Sequence, residues 1–217
     1  MGKMILQVTT YLLLVGGGLL ICDGMWLRAK ALLAQKMLQH AWEETVRTGV
    51  AVKPWPWADS WPVARLKVER LGVDHIVLEG DSGEVLAFGP GRLTASSLPG
   101  SGGNCILSGH RDTSFAFLQE LKEGDVVVMD SMRGEQYRFE VLSARVEEAV
   151  GLYLERPEEP WLTMITCYPF DAIEPGTNQR YVVFARLIKS EPAELPAKTA
   201  MQPDAYPAMK AAAFHLA

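Results

Sequence analysis

Between Trp55 and Leu187 the chain is a succession of short apolar runs separated by glycine-bearing turns, and that spacing admits few folds. Val63 to Val68 alternates, Ile76 to Leu78 follows Gly72-Val-Asp, and Val85 to Phe88 sits between Gly83 and Gly89. Asn104 to Leu107, Val126 to Met129, Gln136 to Val146, Trp161 to Cys167 and Tyr181 to Leu187 complete the set. Short runs with period-two alternation, bounded by turn residues, read as strands. Eight such strands predict a mainly β fold, a small closed or nearly closed barrel. One helical turn, Phe115 to Leu121, falls inside it, with Thr113 or Ser114 as its expected cap.

The flanks differ in kind. Met4 to Cys22 is apolar apart from Gln7, Thr9 and Thr10. At ~1.5 Å per residue this just crosses a bilayer core of roughly 30 Å, so residues 1–27 read as a transmembrane helix. A cleaved signal peptide is the rival, but no Ala-x-Ala-like site follows the run. A lipidated Cys22 would want a small residue before it, and Ile21 is not small. Residues 28–54 read as a stalk helix and linker. Their apolar stripe, with Leu27 just before them and then Ala31, Leu32, Met37, Leu38, Ala41 and Trp42, is expected to pack on the domain. Lys53-Pro-Trp-Pro-Trp57 ends all helix, and the tryptophans there and at Trp61 read as packing. Residues 55–189 form the barrel domain. Beyond it, Pro192, Pro196, Pro203 and Pro207 punctuate a stretch without an apolar face, so 190–217 reads as a disordered tail.

Composition removes several functions. A net charge of −5, without a basic stripe, argues against nucleic acid. Cys22, Cys105 and Cys167 are too few and scattered for a disulfide framework. His40, His75, His110 and His215 show no metal-ligand spacing, so neither a metal nor another cofactor is expected.

Chemistry concentrates at three strand ends. In Trp161-Leu-Thr-Met-Ile-Thr-Cys-Tyr-Pro-Phe170, a thiol closes a buried strand just before a proline that cannot extend the ladder. Asn104-Cys-Ile-Leu-Ser-Gly-His110 ends a second strand in a histidine, and Gln179-Arg180 opens a third with an arginine. A nucleophilic thiol needs a proton partner and a group to hold the developing oxyanion. Alone, Cys167 would read as an inert buried thiol, His110 as a turn residue, and Arg180 as a partner for Asp171 or Glu174. Together they read as a catalytic set. Cys105 differs in parity from His110 along its strand and reads as core. Asp112 reads as a helix cap rather than a third catalytic member.

Thr163-Met-Ile-Thr-Cys167 resembles the sortase signature Thr-Leu-x-Thr-Cys, with methionine where leucine is usual. Gly109-His110 and Arg180-Tyr-Val-Val183 are similar to that family's histidine and arginine strands, in the same chain order. Lys53-Pro-Trp-Pro-Trp57, Ser108-Gly-His-Arg-Asp112 and Thr166-Cys-Tyr-Pro-Phe170 are closest to the sortases of Gram-negative bacteria, called class GN. The resemblance covers about Trp55 to Leu187.

It implies an eight-stranded β-barrel and a membrane-anchored cysteine transpeptidase. Cys167 would be the nucleophile, His110 the general acid and base, and Arg180 the oxyanion partner, with Thr166 adding a hydroxyl or backbone donor. The implied substrate carries a C-terminal LPxTG-like sorting signal, in this group usually on a von Willebrand A-type protein, and an amine acceptor resolves the thioacyl-enzyme. Residues from about Ser143 to Pro160 would line the signal groove. The charge count, Lys3 before the apolar run against Arg28, Lys30 and Lys36 after it, would put the domain in the cytoplasm. The short N-terminal flank and the resemblance put it on the outer face of the inner membrane instead. Two other readings share the residues: a cysteine peptidase or amidase, where water resolves the intermediate, and a catalytically dead binding module.

Overall fold

The structure is a computed structural model and describes residues 2–154, 157–172 and 176–191. α1 runs unbroken from Gly2 to Thr48. Nothing before Gly49, whose φ is 73°, interrupts its helical sequence. It is long and apolar enough to cross a membrane. The chain divides into two compact units after Met37. In the first, Leu27 and Leu32 are exposed. In the second, the last turns of α1 bury Leu38, Ala41, Trp42 and Thr45.

The second unit is a closed barrel of eight strands, as the sequence predicts, and around the cylinder they run in the order β1-β2-β3-β4-β7-β8-β6-β5. The strands are β1 Pro62–Val68, β2 Val73–Glu79, β3 Gly91–Arg92, β4 Asn104–Ser108, β5 Val126–Ser131, β6 Gln136–Glu148, β7 Trp161–Tyr168 and β8 Gln179–Glu191. Antiparallel pairing of β1 with β5 closes the cylinder, while β2–β3 and β4–β7 are its parallel pairs. One set of alternating side chains fills the interior, including Leu66, Val77, Leu107, Met129, Phe139, Leu162, Met164 and Val183. Each large one removed from water contributes about 1.5–3 kcal/mol.

Two local expectations fail. Val85 to Phe88 is not a strand: Gly83–Leu86 forms a short helix, α2, whose Ser82 side chain accepts from the Val85 N–H at 3.4 Å. The missing strand is instead β3, two residues long. A buried ion pair from Arg92 on β3 to Glu79 on β2 holds it at 2.7 Å, with Arg92 also donating to the Ser96 carbonyl. Ala116–Glu120 is a short 3-10 helix whose N-cap residue is Phe115, so neither Thr113 nor Ser114 nor Asp112 holds the cap position and no side-chain cap bond forms.

The tryptophans diverge. Trp61 is buried in the main core, and Trp55 meets Phe88 edge to face at 4.9 Å, but Trp57 is 78% exposed and belongs to neither core cluster. Of the predicted tail, Ser190 and Glu191 extend β8 against Tyr137 and Gln136, and 192–217 lies outside the described residues.

Candidate active site

β4, β7 and β8 are neighbours, and their registers align the three chemical residues. Ser108 stands opposite Ile165 in the parallel β4–β7 pair, and the Gly109 N–H continues that ladder to the Ile165 carbonyl at 3.2 Å. Two residues past Ser108 and Ile165 come His110 and Cys167. On the other side, Cys167 pairs directly with Arg180 across β7–β8. Cys167 and Arg180 thus share one row across β7 and β8, and His110, two residues past the end of β4, lies beside it.

Strand parity fixes which face carries the row. Cys105, Leu107, Leu162, Met164, Val183 and Ala185 point into the core. His110, Cys167 and Arg180 alternate with them and so belong to the outer face. Cys167 is partly exposed, whereas Cys105 is fully buried. Burial pushes the Cys105 thiol up to about 12. A thiol there stays protonated at neutral pH and is a poor nucleophile. The expectation that Cys105 is core agrees with this.

Three devices brace the row. Thr166, only 2% exposed, faces inward, and its hydroxyl donates to the Gly109 carbonyl at 2.7 Å. That ties the residue before His110 to the residue before Cys167. Arg111 donates from Nη2 to the Ala172 carbonyl at 2.6 Å, joining the turn after His110 to the loop after Cys167. Tyr168, Phe170 and Tyr181 form an aromatic group at the barrel end, with Phe170 and Tyr181 centred 5.2 Å apart.

Gly109 is required by close approach. A Cβ there would lie 2.7 Å from Cγ of the buried Phe115 and 2.9 Å from the Ser114 hydroxyl. His110 itself is exposed, and its carbonyl accepts from the Phe115 N–H at 2.9 Å, turning the chain sharply away. Arg180 is anchored through Nη1 to the carbonyls of Thr177 at 2.6 Å and Gln179 at 3.0 Å. Asp171 does not pair with it, and Glu174 lies outside the described residues. The guanidinium is held by neutral oxygens, which leaves its charge available to an anion.

A groove of about 430 Å³ opens on the same outer face, between the barrel wall and the segment joining β6 to β7. Val150, Gly151, Leu152 and Tyr153 form its roof, and Arg145, Glu147, Trp161 and Phe184 its walls. Arg145, Glu147 and Val150 to Tyr153 lie in the span from about Ser143 to Pro160, whereas Trp161 and Phe184 lie outside it. Glu147 pairs in register with Arg180, extending the row to β6. Sequence reading missed it, because only the β6–β8 register brings it there. No group of described His, Cys, Asp and Glu residues has the arrangement to hold a metal ion.

The profile of the family described as Sortase domain matches residues 66–188. Sortase D of Bacillus subtilis (strain 168) is 26% identical over 125 residues, covering 57% of this chain. The chain spans 62% of the length of that relative. Among solved structures, the catalytic domain of SrtD from B. anthracis is 34% identical, with a TM-score of 0.51, over 59% of this chain and 88% of that one. The sortase D5 transpeptidase of Clostridium perfringens shares the fold at 22% identity, with a TM-score of 0.58, over 72% of this chain and 99% of that one.

Proposed function

The chain belongs to the sortase family, and from that premise we propose that it is a membrane-anchored cysteine transpeptidase acting on proteins with a C-terminal LPxTG-like sorting signal. The carrying observation is the Cys167–Arg180 pair on the barrel's outer face with His110 at the neighbouring strand end. The groove meets the Cys167–Arg180 row at Glu147, while Cys167, His110 and Arg180 do not line it, and in this reading it seats the extended peptide.

In the first half-reaction the Cys167 sulfur attacks the carbonyl carbon of the signal's threonine. The tetrahedral oxyanion faces Arg180, whose fixed charge needs no rearrangement as negative charge develops. His110 gives a proton to the departing glycine nitrogen, the C–N bond breaks, and a thioacyl-enzyme remains. In the second half-reaction an acceptor amine attacks the thioester carbonyl. His110 takes up the amine's proton, and the Cys167 sulfur leaves. Thr166 keeps the His110 and Cys167 strand ends together through its hydroxyl.

The apolar first half of α1 is the anchor in this reading, holding the barrel on the outer face of the inner membrane. The Lys53–Trp57, Ser108–Asp112 and Thr166–Phe170 motifs support the Gram-negative class, whose dedicated substrate is usually a von Willebrand A-type protein. The test is mass spectrometry of the full-length enzyme with an LPxTG-like peptide. A thioester on Cys167, abolished in Cys167→Ala and resolved faster by added amine with a ligated product, is expected. Resolution at one rate, with only hydrolysed product, would make the protein a thiol hydrolase. Processing by Cys167→Ala would refute the nucleophile.

A further inference from the structure

The groove is longer than a four-residue signal requires. Its lining runs from Glu147, in the Cys167 row, to Trp161, six residues back along β7 from Cys167. Six strand residues span about 20 Å, and an extended tetrapeptide ending at Cys167 uses about 13 Å of it. Two more residues of a bound chain would lie against the far end.

Charge changes sign along the way. Glu147 and Glu148 lie toward the Cys167 row, and Gln179 donates to Glu148 at 3.2 Å. Farther out, the Arg145 guanidinium lies over the Phe184 ring, 5.0 Å from its centroid. Phe184 stands opposite Thr163, four residues back from Cys167, so this cation sits where the tetrapeptide would end. Arg145 is exposed, and among the described residues no carboxylate pairs with it. An aromatic face beneath a guanidinium keeps the planar fork oriented, and a fork so held matches a carboxylate.

We propose that the Arg145–Phe184–Trp161 end of the groove is an upstream subsite that takes the two residues immediately N-terminal to the signal tetrapeptide, with Arg145 selecting an acidic side chain there. The inference rests on the transpeptidase reading and adds a substrate class to it. Specificity then extends beyond the tetrapeptide, so proteins sharing one core signal are ranked by the residues before it.

The experiment compares peptides with one LPxTG-like core and Glu, Gln or Lys at both upstream positions. Full-length enzyme in detergent micelles is followed by release of the C-terminal fragment, giving kcat/KM for each peptide. The Glu peptide is expected to exceed the Gln peptide by about threefold to fivefold, the size of a partly exposed ion pair, and the Lys peptide by more. Arg145→Gln is expected to erase the preference and Arg145→Glu to invert it. Equal turnover of all three peptides by the unaltered enzyme would overturn the subsite. A preference persisting unchanged in Arg145→Gln would overturn the role of Arg145. Turnover of no peptide would overturn the transpeptidase reading, and the subsite with it.

Discussion

Replacing Thr166 with valine isolates the bond that couples the two catalytic strand ends. The Thr166 hydroxyl donates to the Gly109 carbonyl at 2.7 Å from a side chain 2% exposed. Valine fills nearly the same space, so no cavity forms, but a buried carbonyl loses its donor at a cost of about 1–3 kcal/mol. The added buried methyl returns something under ~1 kcal/mol. A net loss of about 0.5–2 kcal/mol shifts the melting midpoint of a domain this size by about 1–8 °C. The larger effect is expected in the chemistry. Gly109 precedes His110 and Thr166 precedes Cys167, so slack here moves the imidazole relative to the sulfur. Misplacement by ~1 Å costs up to about 100-fold in rate. Peptide cleavage should therefore show a fall in kcat of at least about tenfold, with KM little changed. Thr166→Ser keeps the hydroxyl and should retain most of kcat while losing about 1 kcal/mol of stability for the missing methyl. A serine variant as slow as the valine variant, or a valine variant with unchanged kcat and melting midpoint, would refute the coupling.

Gly109→Ala should destabilise by about 1–3 kcal/mol through the clash with Phe115, read as a lowered urea midpoint; an unchanged midpoint would show that Phe115 yields freely. Iodoacetamide on the folded protein should alkylate Cys167 and spare Cys105, which peptide mass mapping would show; early labelling of Cys105 contradicts its burial. Burial holds the His75 imidazole below its ordinary range, with Asp74 partly opposing. Unfolded histidine binds its proton near pH ~6.5, so stability should drop as pH falls through that value and level off below the folded value. His75→Gln should flatten the urea midpoint between about pH 8 and about pH 5.5, and an unaltered slope would exclude His75 as the cause. Asp74 and Asp125, held down by Arg65 and Arg70, lose their contributions only in more acidic solution, as pH falls through the ordinary carboxylate range.

The strands were legible where alternation was long enough to count, as in Gln136–Glu148. β3 was not, because two residues carry no period, and its identity comes from the Arg92–Glu79 pair across the sheet. In α2, Val85, Leu86 and Phe88 have strand-like composition, and only Ser82 signals a cap. The site was legible as residue types at strand ends. Its row was not, since the β4–β7 pairing joins residues 57 positions apart, as in Ser108 with Ile165. Thr166 could have been placed from sequence: it neighbours Cys167 on one strand, so the two must face opposite sides. The parity that assigns Cys105 to the core applies equally to Thr166.

Closure of the cylinder carries a consequence for recognition. With β1 bonded to β5 the sheet is closed, and β7 is flanked by the β4 and β8 ladders, so a visiting polypeptide cannot be stitched in beside the Cys167 strand as an extra strand. Whatever it grips must be gripped by side chains and loop backbone outside the wall. Target choice can then drift through a few surface substitutions while the hydrogen-bonded shell stays as it is.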